Sequence, residues 1–130
     1  EDLSGFTFGI WGLAFKPGTD DMREAPAIYV IKELVRRGAQ IKAYDPKAIK
    51  EAKEYYLKGV HKITYVASKY DVLKDSNALV LLTEWKEFRL PDFEKIKTLL
   101  KTPIIFDGRN QYSTFSLDEK GIEYYQIGKQ

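Results

Sequence analysis

The sequence has no cysteine, one histidine, little charge of either sign in excess, and no long apolar run. Without cysteine there is no disulfide framework, no thiolate metal site and no cysteine nucleophile within these 130 residues. The lone His61 sits in a polar stretch with no carboxylates clustered near it, so it reads as a solvated surface residue and not as a zinc ligand. A formal net charge of +2 gives no strongly basic surface for nucleic acid, although a pI of about 8.7 leaves room for a local basic patch. No apolar stretch is long enough to cross a bilayer and no secretory signal is visible. The cytoplasm is therefore the expected location. The chain also opens on Glu1-Asp2-Leu3 without an initiating Met, a start that suits a piece of a longer protein.

What is present is ordinary for one folded domain. A hydrophobic share of 44% against 31% charged residues is enough to bury a core and argues against disorder. The length suits a single domain over residues 1–130. Short apolar runs alternate with helical periodicity. Phe6–Gly12, Ile41–Tyr44, Ile63–Val66, Ala78–Leu82, Pro103–Phe106 and Ile122–Tyr125 read as strands. The unbroken apolar run at Ala78–Leu82 implies burial on both faces, as in the middle of a parallel sheet. Pro26 opens a helix at the position that tolerates proline, Ile28, Ile31, Leu34 and Val35 give it one apolar face, and Gly38 ends it. Helices are also expected over about 47–57, 69–74 and 92–100. The alternation predicts an α/β fold: a three-layer, Rossmann-like sandwich with a mostly parallel sheet.

Ligands in such folds collect beyond the carboxyl ends of the strands, near the point where strand order reverses. Four segments lie there: Gly12–Arg23, Asp45-Pro46, Thr83–Phe88 and Asp107–Asn110. Gly9, Gly12 and Ala14 resemble a dinucleotide fingerprint but lack its GxGxxG spacing, and Asp20 and Asp21 would repel a diphosphate laid on them. Lys16 and Arg23 are permanent cations at this edge, suited to a phosphate or ribose hydroxyl, or to pairing with Asp20, Asp21 or Glu24. Asp45 is either a ribose-binding acid or a cap for the next helix. Trp85 is either packing or a wall of the site. Arg109 follows Gly108, whose freedom permits a sharp turn, and would make an oxyanion clamp or sit on the surface.

At these same segments the sequence resembles the C-terminal domain of the UDP-glucose/GDP-mannose dehydrogenase family. Gly12-Leu13-Ala14-Phe15-Lys16-Pro17, Thr19-Asp20-Asp21 and Arg23-Glu24-Ala25-Pro26 are similar to its opening signature. Ala43-Tyr44-Asp45-Pro46, Thr83-Glu84-Trp85 with Phe88, and Phe106-Asp107-Gly108-Arg109-Asn110 are similar to its later motifs. The matches are colinear from about Gly5 to the end of the chain, and the last two motifs look most like the UDP-glucose branch.

The resemblance implies a division of labour. An N-terminal domain of the same polypeptide would bind NAD, a central helix would join the halves and build a homo-oligomer, and this domain would bind the UDP part of UDP-glucose. The family oxidises the sugar's primary alcohol to a carboxylate through a thiohemiacetal and thioester on a cysteine in the upstream part. The present chain alone is therefore expected to be inactive, with no catalytic residue and no metal. By motif, Phe15, Lys16 and Arg109 would contact the nucleotide-sugar, and Arg23 would reach toward NAD on the other domain. Asp20 and Asp21 would orient these cations. GDP-mannose or an N-acetylated UDP-sugar as substrate, a free-standing nucleotide-binding module, and a purely structural domain are the competing readings.

Overall fold

The computed structural model describes residues 2–127. Glu1, and residues 128–130 to which the family resemblance also extends, lie outside them. Six parallel strands form one sheet: β1 Thr7–Trp11, β2 Gln40–Tyr44, β3 Ile63–Tyr65, β4 Ala78–Leu81, β5 Ile104–Asp107 and β6 Glu123–Gln126. Their spatial order is β3-β2-β1-β4-β5-β6. The order reverses between β1 and β4, which places the switch point of this doubly wound sheet beyond Trp11 and Leu81. Every residue of β4 is buried, as its continuous apolar sequence requires.

Alternation along β1 sends Phe8 and Ile10 to one face and Gly9 and Trp11 to the other. Helix α1, Pro26–Arg36, covers the first face, where Val30 and Leu34 line a shared groove with Phe8, Val80 and Phe106. Gly38 (φ +104°) stops the helix and donates its N–H to the Val35 carbonyl. On the second face Phe88 stacks on Trp11, with ring centroids 4.8 Å apart. Phe88 belongs to α3, Lys86–Arg89, and α4 follows as Phe93–Leu99, capped by the Asp92 carboxylate at Lys95 N. Helical layers thus flank both faces of an all-parallel sheet.

The helical elements depart from expectation in several places: the helix expected over about 69–74 is a 3-10 turn at Lys69–Val72, and an unexpected 3-10 turn stands at Leu117–Lys120. The helix expected over about 47–57 is a short α-helical turn, α2 at Ile49–Glu51, running into a π-helical turn at Ala52–Tyr56. The Leu57 N–H reaches back five residues to Ala52 O at 2.8 Å. In an α-helix residues five apart point about 140° away from each other. The wider winding puts Ala52 and Leu57 into the core together, and both are buried. The turn α3 was not expected either; it is a single turn inside a stretch that periodicity cannot resolve as a helix.

Candidate functional site

The carboxyl edge of the sheet is assembled around two buried carboxylates. Asp45, just after β2, is 2% exposed. Its Oδ2 accepts from Leu13 N (2.7 Å), Ala14 N (3.0 Å) and Trp85 Nε1 (3.0 Å). Its Oδ1 accepts from Lys47 N and Ala48 N, both at 2.8 Å. All its acceptor capacity is thus occupied inside the protein. Of the two readings of Asp45 the structural one holds: it caps the following turn, pins the loop after β1, and has no lone pair left for a ribose. Trp85 is likewise packing, because its buried indole donates to this carboxylate.

Asp107, the last residue of β5, is fully buried. It accepts from Arg109 N (2.9 Å) on Oδ1, and from Gln111 N (2.7 Å), Tyr112 N (2.9 Å) and Tyr124 Oη (2.7 Å) on Oδ2. The loop that carries Arg109 is therefore held from beneath. Gly108 plays a different part from the expected one. Its φ is not in the left-handed region; the residue that turns there is Asn110, at φ 56°. Glycine suits position 108 because an added Cβ would lie 3.0 Å from Leu81 O, a tight approach to the carbonyl that its own N–H meets at 2.8 Å.

Between the two carboxylates runs Thr83-Glu84-Trp85, and each of its side chains holds a different neighbour. Thr83 Oγ1 donates to Ala14 O at 2.6 Å, next to Phe15 and Lys16. Glu84 accepts from Arg109, with Nε to Oε1 at 2.9 Å and Nη2 to Oε2 at 3.3 Å. Trp85 reaches Asp45. Gly12 makes the first link possible: at φ +103°, an added Cβ would stand 2.4 Å from Thr83 N. The tripeptide is a strut that joins the loops after β1, β2 and β5.

The residues expected to bind ligand are placed as follows. Phe15 and Lys16 are exposed on the long loop between β1 and α1, closed by Phe15 N donating to Asp21 O at 2.7 Å. Phe15 is 48% exposed, unusual for an aromatic ring on an otherwise anchored loop. Lys16 forms no ion pair among the described residues. Arg23 pairs with Asp21 through Nη2 at 2.8 Å while its side chain stays 80% exposed. Hydrogen bonds from the Arg23 side chain and its backbone N–H, with the Arg23 and Lys16 charges, hold the Asp21 carboxyl at about 2. Phe15, Asp21, Arg23 and Glu24 line one shallow cleft, and Glu24 holds a left-handed backbone at φ 59°. Such conformations in a non-glycine residue persist where surrounding structure imposes them.

One expectation needs correction. Asp20 and Asp21 do not orient all the cations: Asp21 orients Arg23, but the carboxylate that orients Arg109 is Glu84. Burial pushes the Glu84 carboxyl upward. The Arg109 hydrogen bonds, a backbone N–H, and the charges of Arg109 and Arg89 more than offset this and leave it below its ordinary value. In the sequence Glu84 stands inside the Thr-Glu-Trp motif with no role of its own assigned. The available signal was an acid three residues beyond the end of β4 and an arginine two residues beyond the end of the neighbouring parallel strand β5.

A dinucleotide does not fit this edge as a Rossmann cradle. The expected ribose acid is consumed, and a long anchored loop replaces the tight glycine turn. Among the described residues no group of three or more His, Asp or Glu is arranged to hold a metal ion, and no helix is long and apolar enough to cross a membrane.

Comparison with known proteins gives a consistent picture. The model of the UDP-glucose/GDP-mannose dehydrogenase family, UDP binding domain, matches residues 9–114. A UDP-glucose 6-dehydrogenase of Pseudomonas aeruginosa is 44% identical over 127 residues, covering 96% of this chain and 28% of the relative. One of Bacillus subtilis is 41% identical over 127 residues, covering 98% of this chain and 27% of the relative. Among solved structures, a UDP-glucose dehydrogenase of the archaeon Pyrobaculum islandicum superposes with a TM-score of 0.75 at 27% identity, over 95% of this chain and 26% of that one. The chain thus spans little more than a quarter of the length of the relatives it matches.

Proposed function

The chain belongs to the UDP-glucose/GDP-mannose dehydrogenase family, in its UDP binding domain, and from that premise we propose that it holds the UDP part of UDP-glucose for an NAD-dependent oxidation to UDP-glucuronate. The observation that carries this is the division of groups at the carboxyl edge. The dinucleotide features are closed off at Asp45, while Phe15, Lys16 and Arg109 present an exposed ring and two cations. A ring suits a base or sugar face, and ammonium and guanidinium suit a diphosphate.

In this reading NAD is bound mainly by another domain of the same polypeptide, which also supplies the catalytic cysteine. Arg23, paired on one side by Asp21 and otherwise open, reaches toward that NAD. A homo-oligomer and a cytoplasmic location belong to the same proposal. The Thr-Glu-Trp and Asp-Gly-Arg-Asn motifs favour UDP-glucose over GDP-mannose or an N-acetylated UDP-sugar.

Steady-state kinetics of the full-length enzyme test the assignments. Charge-assisted hydrogen bonds are worth roughly 1.5–3 kcal/mol, so losing one weakens its ligand by about ten- to a hundredfold. Lys16→Ala and Arg109→Ala should chiefly raise the Michaelis constant for UDP-glucose, and Arg23→Ala that for NAD. If Arg23→Ala spares NAD and impairs UDP-glucose alone, the assignment fails at that residue.

A further inference from the structure

We propose that Glu84 is a positioning residue for nucleotide binding: it grips one edge of the Arg109 guanidinium and thereby aims the other edge at an incoming diphosphate. The proposal rests on the reading of Arg109 as a substrate contact and adds how that contact is prepared.

A guanidinium carries five N–H groups in a rigid plane. Glu84 takes the side that holds Nε–H and one hydrogen of Nη2, at 2.9 and 3.3 Å. Both hydrogens of Nη1 and the second of Nη2 have no partner among the described residues. One hydrogen from each Nη forms the end-on edge, which matches two oxygens of a phosphate as well as the first edge matches a carboxylate. The same plane can therefore hold Glu84 and a phosphate together without exchange between them.

The rest of the loop removes the freedom that an arginine ordinarily has. Arg109 N–H is fixed by Asp107 Oδ1, and Arg109 O accepts from Gln111 Nε2 at 3.0 Å. Glu84 itself is anchored on both sides, because Thr83 bonds to Ala14 O and Trp85 to Asp45. Its backbone carbonyl also accepts from Arg89 Nε at 3.3 Å. At 23% side-chain exposure for Glu84 and 34% for Arg109, the pair is shielded enough to be more than a surface ion pair, yet Arg109 still meets solvent. An arginine already held in its binding rotamer loses less entropy when the ligand arrives.

The test uses this 130-residue chain, labelled with nitrogen-15 and titrated with UDP. Glu84→Ala, Glu84→Gln, Arg109→Ala and the double variant Glu84→Ala/Arg109→Ala are compared, each with a melting curve. Glu84→Gln keeps the volume and one acceptor, and serves where Glu84→Ala does not fold. In the wild-type chain the Arg109 Nε–H should give a resolved resonance protected from solvent exchange, and Glu84→Ala should abolish it. The same variant should weaken UDP about tenfold, Glu84→Gln should weaken it less, and Glu84→Ala should add nothing once Arg109 is gone. Three results overturn the proposal: UDP affinity unchanged in Glu84→Ala, affinity increased by it, or its full effect persisting without Arg109. Increased affinity would make Glu84 a competitor for Arg109. A wild-type chain that fails to bind UDP overturns the reading of the site itself, and the proposal with it.

Discussion

At Asp45 one carboxylate replaces what would otherwise be five unsatisfied donors at the junction of three segments. A buried donor left without a partner costs about 1–3 kcal/mol. Even if water or local relaxation rescues most of the five, Asp45→Ala should lose roughly 3 kcal/mol or more, which lowers Tm by about ten degrees or more in a domain of this size. Asp45→Asn should lose less, because it keeps one acceptor oxygen. Thermal melts of the two variants check the order, and equal melting points for Asp45→Ala and wild type would contradict the role assigned to the carboxylate. The titrating groups set the pH range. Asp21, held by Arg23, and Glu33, which accepts hydrogen bonds from the Arg36 and Arg37 side chains, sit at about 2, and Glu84 lies below its ordinary value. A depressed carboxyl contributes stability above its unfolded pKa and loses it as pH falls through the folded one. Acid destabilisation should therefore set in below about pH 4 and continue toward 2. Tyr44, Tyr65 and Tyr124 are pushed up to about 12, chiefly by burial. Their contribution is complete below the ordinary tyrosine pKa of about 10 and is lost as pH rises from there toward 12. Melts across both ranges should show a broad plateau between them. The residues that carry these effects were only partly legible. An acid after a strand and before proline can be read as a cap from its neighbours alone. That Glu84 meets Arg109 depends on β4 and β5 lying side by side, which no local pattern states.

Among the elements, β4 was legible because burial on both faces leaves an unbroken apolar run, and α1 because its proline start and glycine stop agree with its apolar face. The turn at Lys86–Arg89 was not, since one helical turn has no period to detect. The π-helical turn was not either, since its cause is the joint burial of Ala52 and Leu57 under neighbours far away in sequence. The approach of the loops after β1 and β4 is the element contact on which the site depends most. At Gly12 a side chain faces two penalties at once: φ of +103° and a Cβ 2.4 Å from Thr83 N. Gly12→Ala should destabilise the domain by roughly 2 kcal/mol or more and should also disturb UDP binding, because the Thr83–Ala14 bond goes with it. Gly18, where an added Cβ meets nothing within 4 Å but φ is +88°, is the control. Its alanine variant carries only the backbone strain, about 1 kcal/mol, and should melt well above Gly12→Ala.

As a whole molecule the chain is a sheet with one prepared edge. Its sequence has no cysteine, and among the described residues that edge has no tight glycine cradle, while Asp45, the acid at the ribose position, is taken up by internal hydrogen bonds. The purified chain should therefore give no NAD reduction with UDP-glucose, and turnover above a blank would contradict the division of labour proposed for it. The most direct test is simpler: titrate the wild-type chain with UDP and, separately, with NAD, and follow backbone amide shifts. The account predicts that UDP binds more tightly than NAD and that its shifts concentrate in residues 12–25, 83–85 and 107–112. NAD binding tighter than UDP, or UDP shifts scattered away from this edge, would contradict it.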